Sequence, residues 1–500
     1  MNLKILFCFL ITASLFINIS CKNLIHDTRN MIINNKCSMS FWEKKFDANG
    51  GNDSIETIAI DSKDNVYVAG YGENLNNGTS GNDWWMKKFD CTGVEDMVNW
   101  NKTFKSFGTY DSIKSIAIDS YDNIYVGGNG YNIVDDSSRQ DWWMKKFDSS
   151  GNELNFNGDS YPLCNNSTEP CSTNSLDVVY DGTSTISNRE DLIEVISFDR
   201  TGSLYAVGYT KTGIGNADWW IKKFSPQGVE DTTNWNKIIP GPNLHDSALA
   251  IAFDSQNNVY VGGYSDGLVY SANKDAWIKK FDANGNELDF SSDYPSCGLS
   301  DPCTNSGTDL AWDADLAWGG SNFDAIYTIK IDSSDNIYIG SQTENHATSA
   351  SSRDWRMRKF NVLGAELSFN GDNLSLCNNS INSCSTNNLD IVLDNNSGDE
   401  YLISSAIDFN GDIFFAGYGP NLASGTSNYD WWIKKFSSTG MEYDDWNIVI
   451  DGGGHDQLSS IATDSHGNLY VGGFGTNLIG PTSQRDWWIR KISSDSSYPE

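Results

Sequence analysis

The sequence carries none of the short signatures that usually announce an enzyme. It has no phosphate-binding glycine loop, no nucleophile elbow, no H-E-x-x-H zinc pair and no EF-hand spacing. Histidine is scarce, with five in 500 residues. Positive charge is scarce too: 34 Lys and Arg face 66 Asp and Glu, a net charge of −32. Such a field repels phosphate backbones and excludes nucleic acid as the expected partner, while suiting cations or basic proteins. Beyond the first 20 residues no apolar run is long enough to span a bilayer as a helix.

What is present begins with an export signal. Lys4 supplies a positive start, and Ile5 to Ile17 form a mostly apolar stretch too short for a stable transmembrane helix. Asn18-Ile19-Ser20-Cys21 follows and resembles a bacterial lipobox, with Asn18 departing from the usual leucine. Residues 1–20 are therefore expected to leave as a lipoprotein signal peptide, with Cys21 lipidated and 21–39 serving as a flexible membrane tether. The alternative is an ordinary secretory signal with an incidental cysteine. Lys22 after the cysteine points to the outer membrane or cell surface, with a periplasm-facing placement left open.

Six cysteines fall into three local pairs: Cys164 with Cys171, Cys297 with Cys303, and Cys377 with Cys384. Each pair sits in an equivalent insertion, at about 155–182, 288–320 and 367–396, with neither histidine nor a C-x-x-C knuckle nearby. Disulfides in an oxidising compartment are the expectation. Cys37 and Cys91 remain without an assigned partner.

One pattern occurs seven times, as in IAIDSKDNVYVAG from Ile58, IAFDSQNNVYVGG from Ile251 and IATDSHGNLYVGG from Ile461. Alternating Ile, Val and Tyr argue strand, and the D-S-x-D/G-N segments argue hairpin turn. A second half follows in each copy, DWW-x-K-K-F or a variant, with its strand starting at Trp84, Trp142, Trp219, Ala276, Trp355, Trp431 or Trp487. A further strand often carries W-N, at Trp100, Trp235 and Trp446. Four strands per copy in seven copies predict an all-β fold, a seven-bladed β-propeller of four-stranded antiparallel blades over 40–492, with a tail at 493–500. We name the strands a to d from the axis outward. The last copy lacks strand d, but FWEKKFDANGGNDSIETIAID from Phe41 aligns without gaps to NWNKTFKSFGTYDSIKSIAID from Asn99. Residues 41–46 are therefore expected to complete the seventh blade and close the ring, which removes an exposed edge.

The repeat resembles the SBBP-type β-propeller repeat family of bacterial surface and secreted proteins, over residues 40 to 492. That resemblance implies the fold and is almost silent on activity. The S-x-D-x-G-x-T-W box of sialidase-like propellers is missing.

Strand direction places the d–a and b–c loops on one face, here called the top, and the a–b and c–d turns on the other. The disulfide insertions and the tether belong to the bottom, so the top is expected to point away from the membrane.

Three acidic series recur. Asp53, Asp111, Asp191, Asp246, Asp324, Glu400 and Asp456 start strand a near the axis. They could form a carboxylate ring holding Ca2+ or another divalent cation in the channel mouth, or cap their own turns. The turn series of Asp61, Asp119, Asp199, Asp254, Asp332, Asp408 and Asp464 reads as hairpin chemistry. The third series, Asp83, Asp141, Asp218, Asp275, Asp354, Asp430 and Asp486, could meet the lysines of an adjacent blade, such as Lys87, Lys145 or Lys222. The paired tryptophans should pack on both neighbouring blades. His245 and His455 each precede a ring acid and break the symmetry, as possible bases or metal ligands or as incidental turn residues, and His346 reads as solvated.

No catalytic set converges. The first reading is a monomeric, lipid-anchored, non-catalytic module that binds protein or glycan through its top loops. The second is a metal-dependent lyase or hydrolase at the channel mouth. The third is a structural envelope lipoprotein.

Overall fold

The computed structural model describes Cys37 and residues 41–496, apart from 76–80, 135–138, 157–160, 165–169, 183–189, 214, 244, 270–272, 291–302, 304–308, 313–322, 345–352, 378–383, 396–397, 424–427 and 481–483. The expected signal peptide, Cys21, most of the expected tether, Cys297 and His346 lie outside the described residues.

Seven antiparallel sheets form the blades of a closed ring. Blade one is typical: strand a is Ser54–Ile60, b is Val66–Glu73, c is Asn82–Phe89 and d is Lys102–Phe104. In the seventh blade a, b and c are Gln457–Thr463, Leu469–Thr476 and Arg485–Ile492. The chain's first strand, Trp42–Phe46, pairs with that strand c in the register Trp42↔Lys491 to Phe46↔Trp487. The ring thus closes by joining the two ends of the chain, as the internal alignment predicts. Cys37 and Cys91, which the spacing left unassigned, form a disulfide with Cα atoms 5.3 Å apart. It ties the segment before the closing strand to the c–d turn of blade one.

Each a–b turn needs a residue in the left-handed region, where Gly, Asn and Asp are best tolerated. Asp64, Asp122, Asn257 and Asp335 supply it with φ of 60°, 59°, 61° and 61°, and Gly202, Gly411 and Gly467 in the other blades. The turn acid closes the loop: Asp61 accepts from the Lys63 and Asn65 N–H groups, both at 2.9 Å.

Strand c carries the core. The first tryptophan of one blade meets the second of the next at six of the seven junctions, as Trp84–Trp143, Trp142–Trp220, Trp219–Trp277, Trp355–Trp432, Trp431–Trp488 and Trp487–Trp85, with centroids 4.3–4.7 Å apart. The rings of each pair are tilted by 34–48°, and together they bury large apolar surfaces between the blades. The exception is the junction of blades four and five, where Ala276 stands in the first position and Arg356 in the second. Arg356 is fully buried, and its Nε donates to Asp390 at 2.8 Å.

The buried lysines correct one expectation. The first of each pair bonds within its own blade to a glutamate eight residues later, as Lys87–Glu95, Lys145–Glu153 and Lys222–Glu230 at 2.6–2.8 Å, not to the third acidic series. Those acids instead hold their own b–c loops: Asp141 accepts from the Ile133 N–H at 2.7 Å and Asp486 from the Leu478 N–H at 2.9 Å. The glutamate wins because it sits across the c–d turn from the lysine, on the same face of the sheet. The second lysine links blades in several copies, as Lys88 to Ser149 O at 3.0 Å and Lys223 to Ala283 O at 2.9 Å, whereas Lys435 pairs with Asp408 of its own blade at 2.8 Å.

The insertions preserve this scheme. In blade two the c–d insertion splits strand d into Glu153–Leu154 and Val178–Tyr180, both paired with strand c. Cys164–Cys171 and Cys377–Cys384 are disulfides, and Cys303 is also disulfide-bonded. Asp177 accepts from Trp143 Nε1 at 2.7 Å and Lys145 at 2.9 Å, in the place where Asn101 serves Trp85 and Lys87 at 3.1 and 3.2 Å. Disulfides of this kind indicate an oxidising, extracytoplasmic environment. No helix among the described residues is long and apolar enough to cross a membrane.

Candidate ligand-binding face at the channel mouth

The ring acids are buried rather than displayed. Asp53 accepts from the Ala48 N–H at 2.5 Å and the Glu73 N–H at 2.9 Å, and Asp456 from Gly452 and Thr476 at 2.5 and 3.2 Å. Asp111 and Asp246 hold corresponding pairs of N–H groups. Each of these four carboxylates joins its d–a loop to the end of strand b. The acid's own N–H crosses to the previous blade, as Asp111 to Asn82 O at 3.0 Å and Asp324 to Lys274 O at 2.7 Å. Burial pushes the Asp53 and Asp456 carboxyls up to about 7 and those of Asp111 and Asp246 up to about 6, against the opposing pull of their hydrogen bonds. Asp191 is also raised by burial. Glu400 departs furthest, pushed up to about 10 by burial and then by Asp354, Asp394 and Asp399, with only the Asn395 backbone opposing.

A cavity of about 550 Å3 runs along the axis instead. In every blade strand a has a bulge, and the bulged residues are Glu56, Lys114, Glu194, Leu249, Tyr327, Ile403 and Ser459. All of them line the cavity. Bulges re-aim a side chain, and here they aim one per blade at the axis. The lining is divided: blades one to three give Glu56, Lys114 and Glu194, whereas blades four to six give Leu249, Tyr327 and Ile403. Lys114 donates to Glu56 at 2.9 Å. Burial lowers the Lys114 ammonium, but Glu56 and Glu194 outweigh it and hold its pKa above the ordinary value. Burial raises Glu194 and lowers Lys330, a lysine lining the same cavity.

Above the apolar sector the top rim carries a run of rings and cations, half-buried except for Phe474, which is buried. Tyr401 stacks on Tyr418 with centroids 4.7 Å apart and planes 19° apart. Tyr429 lies 6.1 Å from Tyr401 and 4.8 Å from His455, which lies 6.2 Å from Phe474. Arg485 covers Phe474 at 4.5 Å, Arg353 covers Phe323 at 4.7 Å and Tyr401 at 5.2 Å, and Lys274 covers Tyr264 at 4.1 Å. The rings come from three fixed repeat positions: the end of strand b, the first residue of strand c, and the residues beside the ring acid. Burial and then Arg485 hold the His455 imidazole below the ordinary value, so it is neutral at neutral pH. Burial raises the Tyr401 and Tyr429 phenols, which keep their protons. The crown therefore offers flat apolar faces, hydroxyl donors, a neutral imidazole and guanidinium groups to one ligand.

No family model and no curated protein matches the chain. Among solved structures it is similar to an inactive virginiamycin B lyase from Staphylococcus aureus, at 8% identity over 90% of this chain and 99% of that one, with a TM-score of 0.43. An ulvan lyase bound to a GlcA(1-4)Rha3S saccharide is 10% identical over 89% and 95%, with a TM-score of 0.47. A glucose dehydrogenase is 8% identical over 76% and 95%, with a TM-score of 0.37. The finer resemblance to the SBBP-type family rests on the repeat motifs alone.

Of the histidines singled out in the sequence, His455 joins the crown. His245 is exposed on its d–a loop, beside strand c of blade three through the bridge Ala217↔His245. The crown's tyrosines and arginines and the charged bulge residues escaped sequence reasoning. The usable signal was variation at fixed places in the repeat, as in the series Asn82, Gln140, Ala217, Lys274, Arg353, Tyr429 and Arg485 just before the third acid.

Proposed function

We propose that this chain is an exported, lipid-anchored binding module that holds a saccharide on the top-face crown of blades four to seven without altering it. The observation that carries the reading is the chain of ring contacts from Tyr401 through Tyr418, Tyr429 and His455 to Phe474. The C–H face of a pyranose packs on such rings, and the guanidinium groups of Arg353 and Arg485 suit its hydroxyls or carboxylates. A small set of polar groups around an apolar floor is the usual form of a ligand site. Lipid on Cys21 and a tether leaving the bottom face would hold the crown away from the membrane, in keeping with a monomer at the outer membrane or cell surface. The net charge of −32 disfavours nucleic acid as the ligand. Screening immobilised glycans with the purified chain tests the reading, and Tyr401→Ala combined with Tyr429→Ala should abolish the strongest signal.

A second reading, a lyase, is favoured by one observation: neutral His455 stands against protonated Tyr429, a pair able to take and give a proton. Incubation with the bound glycan separates the two, because elimination from a uronate creates a conjugated double bond visible by ultraviolet absorbance. Unchanged glycan supports the binding module.

A further inference from the structure

The seven-fold repeat makes one departure conspicuous. In five blades the ring acid accepts from the backbone N–H twenty residues later: Asp53 from Glu73, Asp111 from Tyr131, Asp191 from Lys211, Asp246 from Asp266 and Asp456 from Thr476, at 2.9–3.2 Å. In blade six that later residue is Pro420, which has no N–H, and the acid is Glu400. The lost donor and the longer side chain occur together.

Glu400 is 0% exposed. Among the described residues neither of its carboxylate oxygens accepts a hydrogen bond, and the Asn395 backbone faces it without reaching bonding geometry. The side chain turns to Asp354, at the start of strand c in blade five, and to Asp394 in the following d–a loop. One carboxylate oxygen from each of the three lies within 4.8 Å of the others. A buried carboxyl whose oxygens receive no donor either keeps its proton or ionises beside a cation.

We propose that Asp354, Asp394 and Glu400 form a calcium site at the junction of blades five and six. Three carboxylates offer the hard oxygen ligands this ion takes, and oxygens on opposite sides of one calcium ion are about 4.8 Å apart at its usual bond lengths. Carbonyl groups and water complete its coordination. A second cluster, Asp430, Asp451 and Asp456, has similar spacing. There Asp456 already holds the Gly452 and Thr476 N–H groups, so nothing calls for an ion. The site is separate from the crown and does not depend on the saccharide reading. It would nonetheless stiffen the crown, because Arg353 precedes Asp354 and Tyr401 follows Glu400.

The test uses the full-length chain stripped with a chelator. Dialysis against calcium chloride should load one ion per chain and raise Tm, since an ion that binds only the folded state stabilises it. Terbium chloride should compete with calcium and luminesce on tyrosine excitation, Tyr401 being the neighbour of Glu400. Glu400→Gln should abolish both signals. Asp394→Asn, in a half-buried loop, should weaken binding by more than about tenfold while the fold persists, and it decides the matter if Glu400→Gln does not fold. Asp451→Asn, in the second cluster, should change nothing. Absence of calcium uptake by the wild-type chain would overturn the site, as would uptake unaffected by Asp394→Asn.

Discussion

Tyr429 and His455 meet edge to face, with ring centroids 4.8 Å apart, one at the start of strand c in blade six and the other in the loop leading to blade seven. A crown residue therefore depends on its neighbour in the next blade. Removing one ring from such a contact costs about 0.5–1.5 kcal/mol. His455→Ala should weaken glycan binding from a few-fold to about tenfold, measured by isothermal titration calorimetry. Because the imidazole is already neutral at neutral pH, affinity should stay flat across neutral pH and change only in acid.

Closure of the ring is the second prediction. Trp42 is nearly buried and packs on Phe89 and Tyr470 at 5.5 and 5.9 Å, touching blades one and seven together. Trp42→Ala should cost about 3–5 kcal/mol in denaturant unfolding and expose an edge that promotes aggregation. Cys91→Ser removes the 54-residue loop closed by the Cys37–Cys91 disulfide and should cost about 2–4 kcal/mol.

The junction without paired tryptophans gives the third. Arg356 and Asp390 are both fully buried and 2.8 Å apart. Burial tends to raise Asp390, but Arg356 and Arg358 hold its carboxyl well below the ordinary range. Arg356→Ala leaves that charge without its closest partner and should cost about 3–5 kcal/mol in urea unfolding. Glu95→Gln, on the part-exposed partner of Lys87, should cost much less.

Stability should fall as pH rises through the weakly acidic range. Asp53 and Asp456 are raised to about 7, and Asp111, Asp246 and Asp430 to about 6, burial being the largest cause. In the unfolded chain these groups ionise near 3.8, so between there and about 7 the folded chain holds more protons. Each step up in pH therefore favours unfolding until the folded groups also ionise. Asp177 and Asp390 act oppositely: their folded carboxyls are depressed, and their contribution is lost as pH falls below the ordinary carboxylate value. Tm followed by circular dichroism at fixed ionic strength should peak in mildly acidic buffer and be lower at neutral pH. A Tm that climbs steadily to neutral pH would contradict the burial of these acids.

The blades, their strand order and the closing strand were legible because each copy repeats the same alternation and turn residues. The gapless match of Phe41–Asp61 to Asn99–Asp119 marks closure directly. The Cys37–Cys91 bond was not legible, because Cys37 precedes the repeat and Cys91 has no counterpart at its turn in the other copies. The lysine partners were misassigned because pairing across a c–d turn depends on which sheet face each residue occupies. The channel lining stayed hidden because a bulge in strand a shifts which residue faces the axis, and alternation alone cannot reveal that; the crown stayed hidden because its rings stand at positions where the copies differ from one another. Pro420 and Glu400 were visible as departures, but only the geometry joins them to Asp354 and Asp394.

The most direct test of the central claim is glycan binding by the purified chain and by variants on its two faces. Tyr401→Ala with Tyr429→Ala should remove binding to the best glycan on an array, while Phe409→Ala on the exposed bottom a–b turn of blade six should leave it intact. Binding that survives the crown variant but is lost on Phe409→Ala, or a fully folded chain that binds no glycan at all, would contradict the account.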